Sequence, residues 1–355
     1  MKDAYLMLAL AEGFDESPCA AVLQHGVDPV QLLLDPPRPP DVPPRVAGRL
    51  RATDLAQQAA DVRARCGELG LQVLTPEHPD WPMQLSEQAM PPLALFLRGD
   101  PAVLHRDPSV AVVGSRTPTP YGLDAATTLS AALTRAGVVL WSGLARGVDA
   151  VAHRTCLEHG VPTVAVLAGG LDHVYPAEHA ELADRIASDG GCLVSELPPG
   201  RRARRGHFVR RNRLLGTGPA AVVVAEGSLT SGTLHTARFA AENGNDVFCV
   251  PGPWRSERSQ GCHRLIAEGA CIVESPESLL LDLGLTTRDP ATALRLAHGA
   301  DEQALLLALQ AGPRPTDLLR REAGLDRVRF VRALAALQNS GSITRLDGDL
   351  WRQAP

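Results

Sequence analysis

Gly114-Ser115-Arg116 follows directly on the β-branched run 110–113. A glycine at the end of a strand permits a tight turn and lets a phosphate approach the backbone. A serine hydroxyl and a guanidinium beside it add charge-assisted hydrogen bonds. Taken alone, the tripeptide is equally a plain strand-to-helix turn. A second loop of small residues, Ser231-Gly232-Thr233, follows the run that ends at Ala225 and opens an apparent helix over 234–242. Small residues at a helix start leave backbone N–H groups free to hold an anion. Two such loops on one edge of one sheet make a phosphate ledge, a device that many nucleotide-binding folds share.

The third element is less common. Between Arg201 and Arg213 lie Arg202, Arg204, Arg205, Arg210 and Arg211, with no acidic residue among them. Phe208 sits inside this run, although only 4% of the chain is aromatic, and Asn212 lies between two of its arginines. Arginines that track phosphates, with an aromatic ring for a base, are the means by which single-stranded nucleic acid is held. A charge run is also what an ordinary solvated face looks like. Lys2 is the only lysine, so arginine here reflects coding preference as well as chemistry. With a net charge of −5, any nucleic-acid site must be a local patch.

Several chemistries are excluded on motif grounds. There is no Gly-x-x-x-x-Gly-Lys-Ser/Thr loop for ATP, and no Gly-x-Gly-x-x-Gly after the first sheet strand for NAD. The seven cysteines are scattered, without a Cys-x-x-Cys pair, so neither a zinc site nor a redox dithiol is expected. Asp149 and His153 stand one helical turn apart, but no nucleophile accompanies them, and they read as a helix brace rather than an acid–base pair. Gly169-Gly170-Leu171-Asp172 shapes a further turn. No catalytic residues, metal or cofactor are expected. The N-terminus lacks a cleavage-site pattern and no apolar run reaches a membrane span, which points to a reduced, cytoplasmic protein.

These loops need elements to carry them. β-branched runs at 109–113, 138–141, 163–167, 192–195, 220–225 and 246–250 alternate with helical stretches, and most end in Gly, Ser, Glu or Pro. That is the texture of a doubly wound parallel α/β sheet, whose ligands bind beyond the carboxyl ends of its strands. Residues 1–70 read as a small helical domain, interrupted by Gly13, Gly26, Pro29 and a proline-rich stretch at 36–44. After the α/β domain, 71–285, a polar linker at 286–300 leads to three helical segments and a hairpin across Asp347-Gly348, the pattern of a winged helix over 301–355.

The strings VAVVGSRTPTPYG (110–122), SGLARGVDAVAH (142–153), VAVLAGGLDHVYP (164–176), FVRRNRL (208–214), EGSLTSGTLHTA (226–237) and VFCVPG (247–252) resemble, in order, the motifs of the DNA-processing protein A family, DprA or Smf. The resemblance covers the whole central region, whereas the flanking regions resemble family extensions more weakly. It implies a Rossmann-like domain, a SAM-like or helix-hairpin-helix-like module before it and a winged helix after it. It also implies a non-enzymatic mediator of natural transformation and homologous recombination. Such a protein binds and protects single-stranded DNA without sequence preference and helps to load RecA. It meets single-strand-binding protein through shared DNA, and it dimerises through the Rossmann-like domain.

Carried over by position, Gly114, Ser115 and Arg116 grip phosphate, and Ser231, Gly232 and Thr233 offer a second phosphate seat. Arg205 stands where a basic residue precedes the motif phenylalanine, and Phe208 stacks on a base. Arg211, Asn212 and Arg213 complete the pocket, with Asn212 also suited to buttress the loop. The sequence departs from the family at Val209, where proline is usual and whose loss would loosen the loop. It departs again at His179 and His263, where asparagine is frequent, and at residues 216–219. Two other classes compete with this reading. Rossmann-like nucleotide 5′-monophosphate phosphoribohydrolases hold phosphate in a similar loop, but His235 and Thr236 occupy the region of their catalytic glutamate. A pure protein-interaction scaffold leaves the arginine–phenylalanine segment without a purpose.

Overall fold

A computed structural model describes residues 3–13, 18–36, 42–52, 54–285, 300–309, 312–339, 343–346 and 350–353. All of the linker expected at 286–300 except Ala300, which opens a helix, most of the proline-rich stretch and the Asp347-Gly348 turn lie outside them. The chain divides into two compact units, Met1–Leu279 and Leu280–Pro355.

The first unit opens with five helices: α1 (Ala4–Glu12), α2 (Pro18–Gln24), α3 (Pro29–Leu34), α4 (Pro44–Leu50) and α5 (Leu55–Glu68). Gly13 ends α1 in a left-handed conformation, its N–H returning to the Ala9 carbonyl, and Asp28 caps α3 through the N–H groups of Val30 and Gln31. The sheet follows: β1 (Gln72–Leu74), β2 (Leu95–Gly99), β3 (Ser109–Val113), α6 (Pro120–Arg135), β4 (Val139–Ser142), α7 (Val148–Glu158), β5 (Thr163–Leu167), α8 (Ala180–Ser188), β6 (Cys192–Ser195), α9 (Arg205–Thr217), β7 (Ala221–Val224), α10 (Thr233–Glu242), β8 (Asp246–Cys249), α11 (Gln260–Ala267), β9 (Cys271–Ile272) and α12 (Pro276–Asp282).

The strand order is β1-β2-β6-β5-β4-β3-β7-β8-β9. From β6 to β9 neighbouring strands run parallel, as the sequence predicts, but β2 lies antiparallel to β6 and β1 antiparallel to β2. The sheet is therefore mixed, not wholly parallel. Strands β1, β2 and β9 went unrecognised because they are short or lie outside the βα alternation that reveals the others.

Each central strand is buried on both faces, and the pleat divides its side chains. Val164 and Val166 of β5 join a core with Leu214 and Leu215 of α9, while Ala165 and Leu167 join a second core with α8 and the N-terminal helices. The helical region 1–70 thus shares one hydrophobic core with a face of the sheet.

The chain visits β3, β4, β5 and β6 in one direction, then returns through α9 to place β7 on the other side of β3. The loops after β3 and β7 therefore leave adjacent strands in diverging directions, which opens a crevice at the carboxyl edge.

The second unit contains α13 (Ala300–Leu309), β10 (Arg314–Pro315), α14 (Thr316–Glu322), α15 (Arg327–Asn339), β11 (Ile343–Leu346) and β12 (Leu350–Gln353), with antiparallel strand order β10-β12-β11. Leu305, Leu319, Phe330, Leu337 and Trp351 form its core, and the Trp351 indole donates to Thr316 Oγ1 at 2.8 Å. The short strand β10 adds to the hairpin read from the sequence.

Candidate nucleic-acid interface

The crevice between the loops after β3 and β7 is an open cleft of about 650 Å³. Gly114, Ser115, Arg116, Arg205, Phe208, Arg211, Asn212, Ser231, Gly232 and Thr233 all line it. Ten of the sequence-predicted site residues thus meet in one place.

The two small-residue loops are tied to each other. Thr233 Oγ1 donates to the Gly114 carbonyl at 3.2 Å and receives the Ser231 hydroxyl at 2.8 Å. A Cβ at Gly114 would meet Val148 Cγ2 at 2.6 Å, so the strand end packs against α7 at a distance only glycine allows. Ser115 Oγ accepts the Thr117 N–H at 3.2 Å and the Arg258 guanidinium at 3.1 Å, so its hydroxyl orders the loop. Beyond it, Thr119 caps α6 by accepting the Gly122 N–H, and its own N–H and hydroxyl donate to the buried Glu226 carboxylate. The second seat offers fewer free donors than the sequence suggests. The N–H groups of Thr233, Leu234 and His235 already donate to the Ser231 hydroxyl and to the carbonyls of Ser231 and Gly232.

The arginine run is not the loop that the sequence suggests. From Arg205 it is the helix α9, started where the His207 ring accepts the Arg204 N–H at 3.2 Å. Val209 lies within this helix, so the expected loosening for want of proline has no loop to act on. The helical period then sorts the arginines by face. Arg205 is exposed on the cleft, and Phe208 lies one turn further along. Arg211 points beneath the cleft floor, donating to the Gly143 carbonyl at 2.7 Å and to the Val166 carbonyl. Its pKa falls to about 10, first through burial and also through Arg116, while Asp149 opposes the fall.

Asn212 is a buttress: its amide donates to the Gly232 carbonyl at 3.0 Å and its Oδ1 accepts from Arg211 at 3.1 Å. Arg213 does not line the cleft. Its guanidinium, 2% exposed, forms a two-pronged pair with Glu196 at 2.6 and 2.7 Å and donates to the Met90 carbonyl. Burial raises the pKa of Glu196, but the guanidiniums of Arg213 and Arg210 outweigh it and hold the carboxyl below its ordinary range.

The lone aromatic of the run has company. The Phe208 ring meets Tyr175 edge-on, with centroids 5.7 Å apart and planes at 68°, and the Arg116 guanidinium lies 5.1 Å from its centroid. Tyr175 is 54% exposed. Arg258 also lines the cleft, joined to Thr117 and Ser115. Tyr175 was legible in principle, since it lies within VAVLAGGLDHVYP, but Arg258 carries no local signal because only folding brings it to Ser115.

The cleft is electropositive. Arg116, Arg205 and Arg258 stand exposed around it, and among the described residues Asp149 is its only lining carboxylate. Asp149 Oδ2 accepts the N–H groups of Gly143 and Ala145 at 3.1 and 3.3 Å. His153 is buried apart from it, bonded to Thr163 Oγ1 at 2.9 Å, and burial lowers its pKa to about 3. The two do not act as a pair. His235 and Thr236 also line the cleft. Among the described residues no group of His, Cys, Asp or Glu side chains is arranged for a metal ion, and no helix is long and apolar enough to cross a membrane.

Residues 72–284 match the family model of DNA recombination-mediator protein A. The chain belongs to this family. It is 40% identical to Protein Smf of Synechocystis sp. over 66% of this chain, and it spans only 58% of that protein's length. It is 35% identical to a putative DNA processing protein DprA of Mycobacterium tuberculosis over 95% of this chain and 91% of that one. Among solved structures, DNA processing protein A from Helicobacter pylori, described for its single-stranded DNA binding mode, superposes with a TM-score of 0.55 at 29% identity, over 60% of this chain and 95% of that one.

Two departures from the family motifs are explained by their bonds. His179 Nδ1 meets the Leu144 carbonyl at 2.9 Å, a contact an asparagine amide can also make, and His263 Nε2 meets the Gly252 carbonyl at 3.0 Å. Within the departure at 216–219, Gly216 packs where a Cβ would meet the Thr236 carbonyl at 2.7 Å, which lets α9 and α10 approach closely.

Proposed function

We propose that the cleft binds single-stranded DNA without sequence preference and that the protein acts as a recombination mediator rather than an enzyme. The observation that carries this reading is the convergence of Gly114-Ser115-Arg116, Ser231-Gly232-Thr233, Arg205 and Phe208 at one strand-order switch point. Phosphates sit against the two small-residue loops, with Arg116, Arg205 and Arg258 supplying charge. Phe208 takes a base, on a ring that Arg116 covers on one side. Arg211 and Asn212 hold the cleft in shape from below. The relative from H. pylori, described for single-strand binding, supports the same assignment.

Within this reading the protein works in the cytoplasm as a homodimer formed through the Rossmann-like domain. It shields incoming single strands during natural transformation, shares them with single-strand-binding protein, and helps to load RecA. The N-terminal helices and the C-terminal winged helix are accessory modules.

The test is a fluorescence-anisotropy titration of labelled single-stranded and duplex oligonucleotides over a salt series, with wild type and Phe208→Ala. Single strands bind preferentially, affinity falls as salt rises, and the variant loses about 1–3 kcal/mol. Absence of a single-strand preference, or hydrolysis of a nucleoside monophosphate by the same preparation, would overturn the reading.

A further inference from the structure

The loop between β8 and α11, whose Arg258 lines the cleft, carries an exposed tryptophan. Trp254 is 75% exposed, whereas Trp81, Trp141 and Trp351, the other tryptophans of the chain, are buried at 5% exposure or less. A large ring left in water at a basic edge points to a partner with a flat face.

The loop that carries the ring is pinned at both ends. At its start the Tyr121 hydroxyl donates to the Pro251 carbonyl at 2.6 Å and His263 meets the Gly252 carbonyl. At its end the Gly261 N–H donates to the Gly227 carbonyl at 2.8 Å, in the loop after β7. Between these anchors run two consecutive turns, closed by Ser256 N–H to the Pro253 carbonyl and Ser259 N–H to the Ser256 carbonyl at 2.9 and 3.0 Å. Trp254 and Arg255 form the tip of the first turn, and Arg258 lies in the second. The Arg255 guanidinium lies 4.8 Å from the Trp254 ring centroid, which covers one side of the indole. Arg258 reaches back to Ser115 and Thr117 in the cleft wall. Glu257 stands between the two arginines, and the turns still carry a net positive charge.

We infer that Trp254 is a second base-stacking platform, which receives a nucleobase where the strand leaves the cleft past Arg258. This rests on the reading of the cleft as a single-strand site. A strand held by its phosphates at Ser115 and Arg258 continues onto the next turn of the same pinned loop, where a preordered ring binds a base with little loss of side-chain freedom. The strand then meets two aromatic groups, Phe208 with Tyr175 and Trp254 with Arg255.

Tryptophan emission reports on this directly, because the acrylamide-accessible part belongs to Trp254. In the full-length protein, an oligothymidylate of about 20 nucleotides quenches that part and shields it from acrylamide. Trp254→Phe abolishes the accessible signal, and Trp254→Ala weakens binding of the same oligonucleotide about tenfold by anisotropy. The substitutions lie at an exposed turn and leave the core intact. If anisotropy shows binding while accessible emission stays unchanged and Trp254→Ala binds like wild type, the platform is refuted and the cleft reading stands. If no single strand binds at all, the cleft reading itself fails. Accessible emission that follows protein concentration in the absence of DNA would make Trp254 a contact between copies of the chain, and would refute the platform as well.

Discussion

The two ends of α9 use one residue type for opposite purposes. At its first turn Arg205 is exposed on the cleft beside Phe208, whereas about two turns later Arg211 is buried under the cleft and Arg213 is buried away from it. The difference lies in what the fold sets opposite each guanidinium. Arg213 meets Glu196 just beyond β6, and Arg211 meets carbonyls at the ends of β4 and β5. Arg205 meets solvent. A run of like charge in a sequence is therefore not a measure of charge offered to a ligand, because a guanidinium reaches DNA only where no buried acceptor has claimed it.

Substitutions at the two ends should separate these roles. The largest effect is expected from Arg213→Ala, which leaves the buried Glu196 carboxylate with Arg210 alone, at 3.6 Å, and costs about 3 kcal/mol in urea unfolding. The fraction that remains folded should bind single strands as wild type does. A loss of binding without a loss of stability would return Arg213 to the site.

A second test probes the buried electrostatics behind α9. Glu12, at the end of α1, accepts the N–H groups of Cys19 and Ala20 and feels the charge of Arg210. Burial nonetheless raises its pKa to about 7, above its value in the unfolded chain. Its contribution to stability is therefore complete below the ordinary carboxylate range and is lost as pH rises through about 7. Compared with wild type, Glu12→Gln should gain about 2 kcal/mol between about pH 5 and pH 8, read from paired urea curves. Parallel pH profiles for the two proteins would show that Glu12 stays charged throughout.

The smallest effect belongs to the exposed end. Arg116→Ala and Arg205→Ala should leave stability within about 0.5 kcal/mol of wild type. Each should flatten the salt dependence of single-strand binding by roughly 0.7 in slope per lost phosphate contact. A slope identical to that of wild type would take either residue off the phosphate track.

Much of this was legible from the order of residues. The β-branched runs that precede Gly114, Gly143, Ala168 and Glu226 revealed the parallel strands, because strands buried on both faces leave an unbroken apolar signature. The two small-residue loops followed from their positions at strand ends. The antiparallel β2 stayed hidden although its residues 95–97 are apolar, since no helix alternates with it. The division of the arginines stayed hidden for a different reason. It depends on Glu196, Met90, Gly143 and Val166, which only tertiary folding brings to α9. Arg258 and Trp254 were missed likewise, since nothing in their immediate neighbours marks the loop after β8 as a wall of the cleft.

The strand-order switch also governs when the cleft can exist. Val110 of β3 pairs with Ala221 of β7, and the Gly114 carbonyl accepts from Thr233, so the whole course from α6 to α9 lies between the two halves of one site. Contacts of such sequence separation close late, after the local βα units have formed. On the ribosome, the cleft is incomplete until α10 has emerged and β7 has inserted beside β3. A nascent or truncated chain that ends between α9 and this point carries the arginines of α9 without the cleft.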